Sequence, residues 1–523
     1  MRHKQLLITP ALGIVVLVVA LIVLPSVQAR SVRRLPIYRN SAYSPAERAA
    51  DLVARMTVAE KASQSISGQS AAIPRLGVKA YGWWNESVHG VARLQLNPSG
   101  ATTPLIDTTS YPSDLSLGST WDPSLMYSEA SAISDEAREI VPGNAYNLDF
   151  FAPTVNLSRD PRWGRNDETF SEDPLLTADL AAQYVNGLEG RSESGRLLPR
   201  GGGYLKAIAT LKHYAANDSE VNRLNGSSDM DQRTLREYYT AQFRLIDQQT
   251  QPGAMMSAFN AVNGTPSAAN AFLTNTLARQ TFGFGGYFTS DCDAVQAIVD
   301  YQNWRPRGYR RPLNQTEAHA FANAAGEDLD CTSADDPLTN ANLLPAAVGE
   351  GIRTTNDVYN EQDLDTSLVR LFTARMQLGE FGHISSEPWV RAARAQLPAG
   401  SWVNSEANHA ETETPARLGL ARGVADHALV LLKNAATARR GGSVGKLLPI
   451  SVPSRRPFRV AVIGTVGNEQ NQYLGGYGSA QGPAGQAKEV TPYEGLKAAI
   501  HAINPSATVD FLPGFSARAM RRS

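Results

Sequence analysis

Short apolar or β-branched segments alternate along much of the chain with longer segments of helical apolar spacing. Such alternation predicts strands that are each followed by a helix, which is the pattern of a parallel α/β sheet. A closed (β/α)8 barrel of the TIM type is the architecture that best fits this pattern in one domain, and an open doubly wound sheet is the alternative. The clearest predicted strands are residues 149–156, 208–214, 253–259, 286–291 and 326–330, and the clearest predicted helices are residues 44–64, 175–188, 233–248 and 316–325.

The alternation stops at residues 385–414, a polar stretch that contains proline. Such a stretch predicts a linker, so we expect a large first domain over residues 41–384 and a second α/β unit over residues 415–523. Because the second unit has few strands and few covering helices, we expect it to be incomplete. Its predicted helices are residues 415–432 and 492–503, and its predicted strands are residues 459–464 and 508–512.

The N-terminus has the pattern of a secretory signal peptide. Arg2 and Lys4 precede an apolar run at residues 11–24, and small residues follow near Ala29. This pattern predicts a signal peptide over residues 1–29 and an exported protein that is secreted, periplasmic or anchored at the cell surface. The run is shorter than the roughly 20 residues of a spanning helix, so contact with a membrane is expected only if the leader stays uncleaved.

Composition describes an ordinary globular protein and by itself indicates no partner. The chain has 42% hydrophobic residues, 19% charged residues and a formal net charge of −1, and no basic pattern predicts nucleic-acid binding. The two cysteines, Cys292 and Cys331, lie in no CxxC or Cys/His pattern, so no metal site is predicted. They form either one disulfide, which export permits, or two buried reduced thiols.

Polar residues gather where predicted strands end, which is where either architecture places its active site. Lys212 and His213 lie near the end of one strand, and Asp291 and Asp293 lie at the end of another. A carboxylate in that place can attack an electrophilic carbon. Side chains two positions apart on a strand point to the same side, so spacing alone leaves both aspartates as candidates.

Several motifs, taken together and in order, resemble glycoside hydrolase family 3 over nearly the whole chain after the leader. The resemblance implies a retaining mechanism with Asp291, rather than Asp293, as the nucleophile that forms a glycosyl-enzyme. It requires no metal or organic cofactor. The motifs are Met56-Thr57-Val58-Ala59-Glu60-Lys61, Trp83-Trp84-Asn85-Glu86, Arg159-Asp160-Pro161-Arg162-Trp163-Gly164-Arg165, Leu211-Lys212-His213-Tyr214, Ser257-Ala258-Phe259-Asn260, Ser290-Asp291-Cys292-Asp293 and Leu431-Leu432-Lys433-Asn434.

The resemblance also implies the residues that bind the non-reducing sugar of an oligosaccharide. Basic side chains would donate hydrogen bonds to ring hydroxyls, Glu86 would accept them, and Trp163 would offer a flat apolar face. Phe259 stands where many relatives have tyrosine. The substrate contacts implied are Glu86, Arg165, Lys212, His213, Trp84, Arg159 and Phe259.

Two positions favour the β-xylosidase branch of the family. Relatives that act on glucosides usually have aspartate in place of Glu86 and an aromatic residue in place of Cys292. The longer acid fills space that a hydroxymethyl group needs. The expected activity is exo-hydrolysis of terminal β-D-xylosyl residues, as in xylan catabolism, with β-D-glucosyl or α-L-arabinofuranosyl residues as alternatives; no oligomeric state is predicted.

A retaining glycosidase also needs an acid/base carboxyl about 5 to 5.5 Å from the nucleophile. In two-domain relatives this residue comes from the second domain, beyond position 523. Another branch uses a His/Asp pair after the Lys-His motif, but residues 215–219 contain no histidine. We therefore expect a truncated α/β sandwich domain, and a non-catalytic carbohydrate-binding remnant is the alternative function.

Overall fold

The computed structural model describes residues 35–94, 103–104, 108–141, 143, 146–333, 335–355, 357–397, 412–438, 444–469, 476–478 and 489–514. The predicted leader and residues 398–411 of the predicted linker lie outside these residues. The chain divides into two compact units, Met1–Pro36 and Ile37–Ser523, and nearly all described residues belong to the second. The predicted domain division at residues 385–414 stays a prediction.

The α-helices follow the predicted pattern closely. Many begin at a side-chain cap followed by proline, as at Ser44-Pro45, Asp173-Pro174 and Thr491-Pro492. The helices are α1 Pro45–Val53, α2 Val58–Gln64, α3 Asp114–Thr120, α4 Pro123–Ile140, α5 Pro174–Glu189, α6 Gln232–Thr234, α7 Ala241–Thr250, α8 Ala294–Asp300, α9 Gln315–Ala325, α10 Asn340–Glu350, α11 Glu361–Gln377, α12 Pro388–Gln396, α13 Pro415–Ala428 and α14 Pro492–Ile503. Two π-helical segments cover Leu235–Tyr239 and Phe272–Phe282.

Several strands are short, with only two residues each. The strands are β1 Arg93–Leu94, β2 Thr103–Pro104, β3 Asp149–Phe150, β4 Ile208–Tyr214, β5 Ser227–Ser228, β6 Ala254–Ser257, β7 Ala261–Val262, β8 Thr265–Pro266, β9 Tyr287–Ser290, β10 Thr437–Ala438, β11 Val444–Gly445, β12 Arg459–Ile463 and β13 Thr508–Leu512.

A parallel sheet of order β3-β4-β6-β9 forms the centre of the larger unit. Isolated parallel bridges continue this sheet, from Phe150 to Asn85 on one side and from Thr289 to Leu329 on the other. Its strands are buried, and helices such as α4 and α5 pack nearby, so the expected α/β architecture is confirmed. Closure into an eight-stranded barrel stays a prediction.

Some predicted elements have different bounds in the structure. The helix predicted over residues 44–64 is two helices, because Thr57 starts α2 with its own capping box to Glu60. The helix predicted over residues 233–248 is interrupted by the π-helical segment Leu235–Tyr239. The strand predicted over residues 149–156 is regular only at Asp149–Phe150.

The C-terminal region has a small core of its own. Strands β12 and β13 pair in parallel, and α14 packs beside them around Ile500 and Val509. Helix α13 ends at Ala428, four residues before its predicted end, and Leu432 is exposed. Among the described residues, no helix has both the length and the apolarity to cross a membrane.

Candidate active site

Asp291 follows the last residue of β9, and two hydrogen bonds orient its carboxylate. Oδ2 accepts a hydrogen bond from Arg223 Nη2 at 2.9 Å, and Oδ1 accepts one from the backbone N–H of Cys292 at 2.9 Å. The side chain is 12% exposed. A carboxylate that is held by charged and backbone donors, yet keeps an open side, has the properties of a nucleophile.

Asp293 has a different environment from Asp291. The chain leaves the strand at Ser290, and Asp293 has a left-handed backbone with φ of 70°, so the alternation of strand side chains no longer applies to it. Burial raises the pKa of Asp293, and nearby acids including Asp336 and Asp291 add to this effect. Asp291 therefore directly follows the strand end, whereas Asp293 lies in the turn beyond it.

Lys212 and Glu86 form a buried ion pair, and Lys212 directly precedes His213, whose Nε2 lies 3.7 Å from Asp291 Oδ2. Lys212 Nζ lies 3.0 Å from Glu86 Oε2, and the two side chains are 1% and 3% exposed. Trp84 Nε1 donates a second hydrogen bond to the Glu86 carboxylate at 3.1 Å. Burial raises the pKa of Glu86, although the Lys212 ammonium opposes the shift. The ion pair fixes one donor and one acceptor of the kind that bind sugar hydroxyls.

His213 follows Lys212 in β4 and is neutral in this structure. Its Nδ1 lies 3.1 Å from Asn156 Oδ1, which accepts its proton, so Nε2 carries the lone pair. Burial holds the pKa of His213 well below its usual value, and the nearby Arg165 strengthens this effect. Nε2 lies 3.5 Å from Arg165 Nη1 and 3.7 Å from Asp291 Oδ2. The contact with Asp291 is therefore not an ion pair.

Arg165 has a fixed position because it forms a two-pronged contact with Glu168. Arg165 Nε and Nη2 donate to the two Glu168 oxygens at 2.9 and 2.6 Å. The two residues are three positions apart around the short helical turn Asn166–Glu168. Arg165 Nη1 stays directed toward His213, which brings this predicted residue into the Asp291 cluster.

The other two predicted contacts, Phe259 and Arg159, differ in whether they lie near Asp291. Phe259 is buried, and the Arg223 guanidinium carbon lies 4.5 Å from the centre of its ring, so Phe259 supports the arginine that holds Asp291. Arg159 is exposed and lies over the ring of Tyr239, 5.8 Å from its centre. The contacts described for Arg159 therefore do not join it to the Asp291 cluster.

Four residues of the site were missed from the sequence. Glu168 lies three positions after Arg165, which is a usual ion-pair spacing in helices and was a usable signal. Asn156 ends a predicted strand, which was a usable signal. Arg223 lies in a polar loop with no pattern that marks it. Tyr477 comes from the C-terminal region, and its ring centre lies 4.4 Å from Lys212 Nζ.

A disulfide joins Cys292 to Cys331. The backbone N–H of Asp293 also donates to the Cys331 carbonyl at 2.8 Å, so the segment after Asp291 is tied to the neighbouring strand segment twice. The sequence left open whether these cysteines form a disulfide or stay as two reduced thiols, and the structure has the disulfide. Within the described ranges, no group of three or more His, Cys, Asp or Glu side chains is arranged to hold a metal ion.

Comparisons with known proteins give the family. The glycosyl hydrolase family 3 N-terminal domain matches residues 97–373. Probable beta-D-xylosidase 7 of Arabidopsis thaliana is 35% identical over 460 residues, which are 86% of this chain and 53% of the relative. Exo-1,4-beta-xylosidase bxlB of Emericella nidulans is 34% identical over 407 residues, which are 76% of this chain and 48% of the relative. The chain therefore spans about half the length of these relatives.

Solved structures agree with this assignment. A GH3 exo-beta-xylosidase (XlnD), in complex with a xylobiose aziridine probe, superposes with a TM-score of 0.69 and 26% identity, over 93% of this chain and 55% of that one. Beta-glucosidase 3B from Thermotoga neapolitana, in complex with glucose, has a TM-score of 0.62 and 20% identity, over 91% and 55%, and shares the fold. The family resemblance of the sequence motifs is confirmed: the chain belongs to glycosyl hydrolase family 3.

Proposed function

We propose that this protein is an exo-acting, retaining β-glycosidase that removes terminal β-D-xylosyl residues from oligosaccharides. The observation that carries the proposal is the Asp291 carboxylate, which Arg223 holds and which lies 3.7 Å from His213, the residue after Lys212 of the buried Lys212–Glu86 pair. The relatives named above are described as β-xylosidases, which supports xylose as the sugar. β-D-Glucosyl and α-L-arabinofuranosyl residues are the alternative substrates.

The arrangement suits a double displacement. Asp291 would attack the anomeric carbon and form a glycosyl ester while the bond to the leaving group breaks. A water molecule would then attack the same carbon and lose a proton, which balances the proton that the departing alcohol takes up, and the carboxylate would leave again. Lys212 and Glu86 would hold the sugar by its hydroxyls, which places the anomeric carbon in front of Asp291.

The neutral state of His213 has a role in this proposal. Its Nε2 lone pair faces Arg165 and Asp291, so the histidine adds no positive charge that would pair with the nucleophile. Arg223 then remains the cation in direct contact with Asp291. Because only one oxygen of the carboxylate is held by a cation, the group keeps nucleophilic character.

Mass spectrometry with an activated fluorosugar tests the proposal. A 2-deoxy-2-fluoro-β-xyloside with a dinitrophenyl leaving group forms the covalent intermediate without help from an acid, so the test isolates the nucleophile. We expect one fluoroxylosyl adduct on the peptide that contains Asp291. The Asp291→Asn variant should stay unlabelled, and the matched Asp293→Asn variant should be labelled. A folded protein without an adduct would favour the carbohydrate-binding remnant instead.

We also propose that the protein is exported. The signal-peptide pattern of residues 1–29 supports this, although these residues lie outside the described part of the chain. The Cys292–Cys331 disulfide supports it independently, because such bonds persist mainly in oxidising compartments. Intact mass of the protein recovered from the secreted fraction tests the proposal, since cleavage would remove residues 1–29.

A further inference from the structure

A short turn at Gly476-Tyr477-Gly478 contacts the candidate sugar site, although it belongs to the C-terminal region. The backbone N–H of Gly476 donates to Asp167 Oδ2 at 2.7 Å, and the Gly476 carbonyl oxygen lies 3.1 Å from His89 Nε2. These contacts join residues that are more than 300 positions apart. The turn therefore has a defined place beside the site.

Glycine at position 476 permits this close approach. A Cβ atom there would lie 3.0 Å from Glu168 Oε1 and 3.2 Å from Glu168 Cγ. Glu168 in turn holds the fork of Arg165. A side chain at position 476 would therefore clash with Glu168, which orients Arg165. The backbone of the turn packs closely against the candidate sugar site for this reason.

Tyr477 extends from this turn toward the Lys212–Glu86 pair. Its ring centre lies 4.4 Å from Lys212 Nζ, which is the geometry of a cation–π contact. The nearby Glu86 carboxylate raises the pKa of the Tyr477 phenol, so the phenol stays protonated. The ring is only partly exposed and packs against the main core. The Tyr477 ring thus covers one side of the Lys212–Glu86 pair.

From this geometry we infer that Tyr477 is a specificity-determining residue that forms one wall of the sugar pocket and favours a pentose over a hexose. The inference rests on the proposed function. A sugar that reaches Lys212 and Glu86 must pack beside the ring, because the ring occupies the space next to the ammonium. A substituent on the sugar ring, such as a hydroxymethyl group, competes with Tyr477 for that space. A sugar without the substituent does not.

The test compares two probes on three variants. The probes are 2-deoxy-2-fluoro-β-xyloside and 2-deoxy-2-fluoro-β-glucoside with the same dinitrophenyl leaving group, and the readout is the ratio of their labelling rates. Tyr477→Ala should lower the xyloside-to-glucoside ratio roughly tenfold or more, because discrimination by a group of this size is typically about 10- to 200-fold. Tyr477→Phe should keep the ratio, since the ring is preserved. Tyr301→Ala removes an exposed tyrosine elsewhere and is the control.

A binding measurement separates this inference from the proposed function. If neither probe labels the unmodified protein, the proposed function fails, and calorimetric dissociation constants for free xylose and glucose then test the pocket wall alone. Tyr477→Ala should again shift the ratio of the two constants toward glucose. The inference is overturned if both ratios are unchanged in Tyr477→Ala, or if Tyr301→Ala changes them equally.

Discussion

Replacing Lys212 by methionine should strongly destabilise the protein at neutral pH. Lys212 and Glu86 are 3.0 Å apart and almost completely buried, so the change leaves a carboxylate in the interior without its cation. Removing one partner of such a pair costs about 3 to 5 kcal/mol. Trp84 Nε1 still donates to Glu86, which places the expected loss toward the lower end of that range.

The sign of the pH dependence follows from Glu86. Burial already raises its pKa above the usual value, and Lys212 opposes that shift, so Lys212→Met raises the folded-state pKa further. A folded-state pKa above the unfolded value destabilises the fold when the group is ionised in the unfolded chain. The loss should therefore be largest at neutral pH and should shrink as the pH falls toward the ordinary range of a glutamate.

Urea unfolding, followed by circular dichroism at neutral and acidic pH, measures this effect. The double variant Lys212→Met, Glu86→Gln should recover much of the stability, because it removes the lone charge and keeps an acceptor for Trp84. Lys497→Met, at an exposed lysine of α14, is the matched control and should change stability by less than about 0.5 kcal/mol. A single variant as stable as the double variant at neutral pH would refute the reasoning.

Three further changes test other parts of the structure. Arg223→Ala removes the hydrogen bond that orients the Asp291 carboxylate, so the rate of fluoroxyloside labelling should fall by up to about a hundredfold, the loss that a displacement of about 1 Å can cause; an unchanged rate would contradict the orienting role of the contact. Burial raises the pKa of Asp149 to about 7, above the unfolded value of 3.8, so its ionisation lowers stability as the pH rises through this window. Asp149→Asn should remove that fall, which is at most about 4 kcal/mol, and an equally steep fall in urea titrations of the variant would disprove it. Reducing the Cys292–Cys331 bridge, which closes a loop of 39 residues, should lower stability by about 4 kcal/mol in a denaturation series with and without reductant, whereas no change would mean that the bridge does not constrain the unfolded chain.

The sequence predicted best those elements that local signals determine. Helix α14 and strand β13 have the predicted bounds, because Thr491 caps the helix and an alternating strand pattern follows it. The prediction of one continuous helix over residues 233–248 was wrong, because a π-helical segment interrupts it. Apolar spacing does not distinguish a regular helix from one with such a segment. The sequence pattern also overestimated the length of β3, which pairs regularly at only two residues.

The residues of the candidate site also divide into those that the sequence could predict and those that it could not. Lys212, His213 and Asp291 were predictable because each lies at or just beyond the end of a strand, where a parallel sheet collects functional side chains. Arg223 was not predictable, because its contact with Asp291 joins residues 68 positions apart and depends on how a loop folds. Tyr477 was still harder to predict, since it reaches the site from the C-terminal region.

The charges of the site agree with an uncharged sugar as the proposed ligand. Three cations surround the neutral His213, and each has a carboxylate partner within 3.0 Å. The pairs are Lys212 with Glu86, Arg165 with Glu168, and Arg223 with Asp291. An anionic ligand would have to compete with these buried carboxylates for their cations, at a large cost in desolvated charge. A neutral polyol only has to share the remaining donors and acceptors, so the pairing of the charges favours the neutral sugar of the proposed function over an anionic ligand.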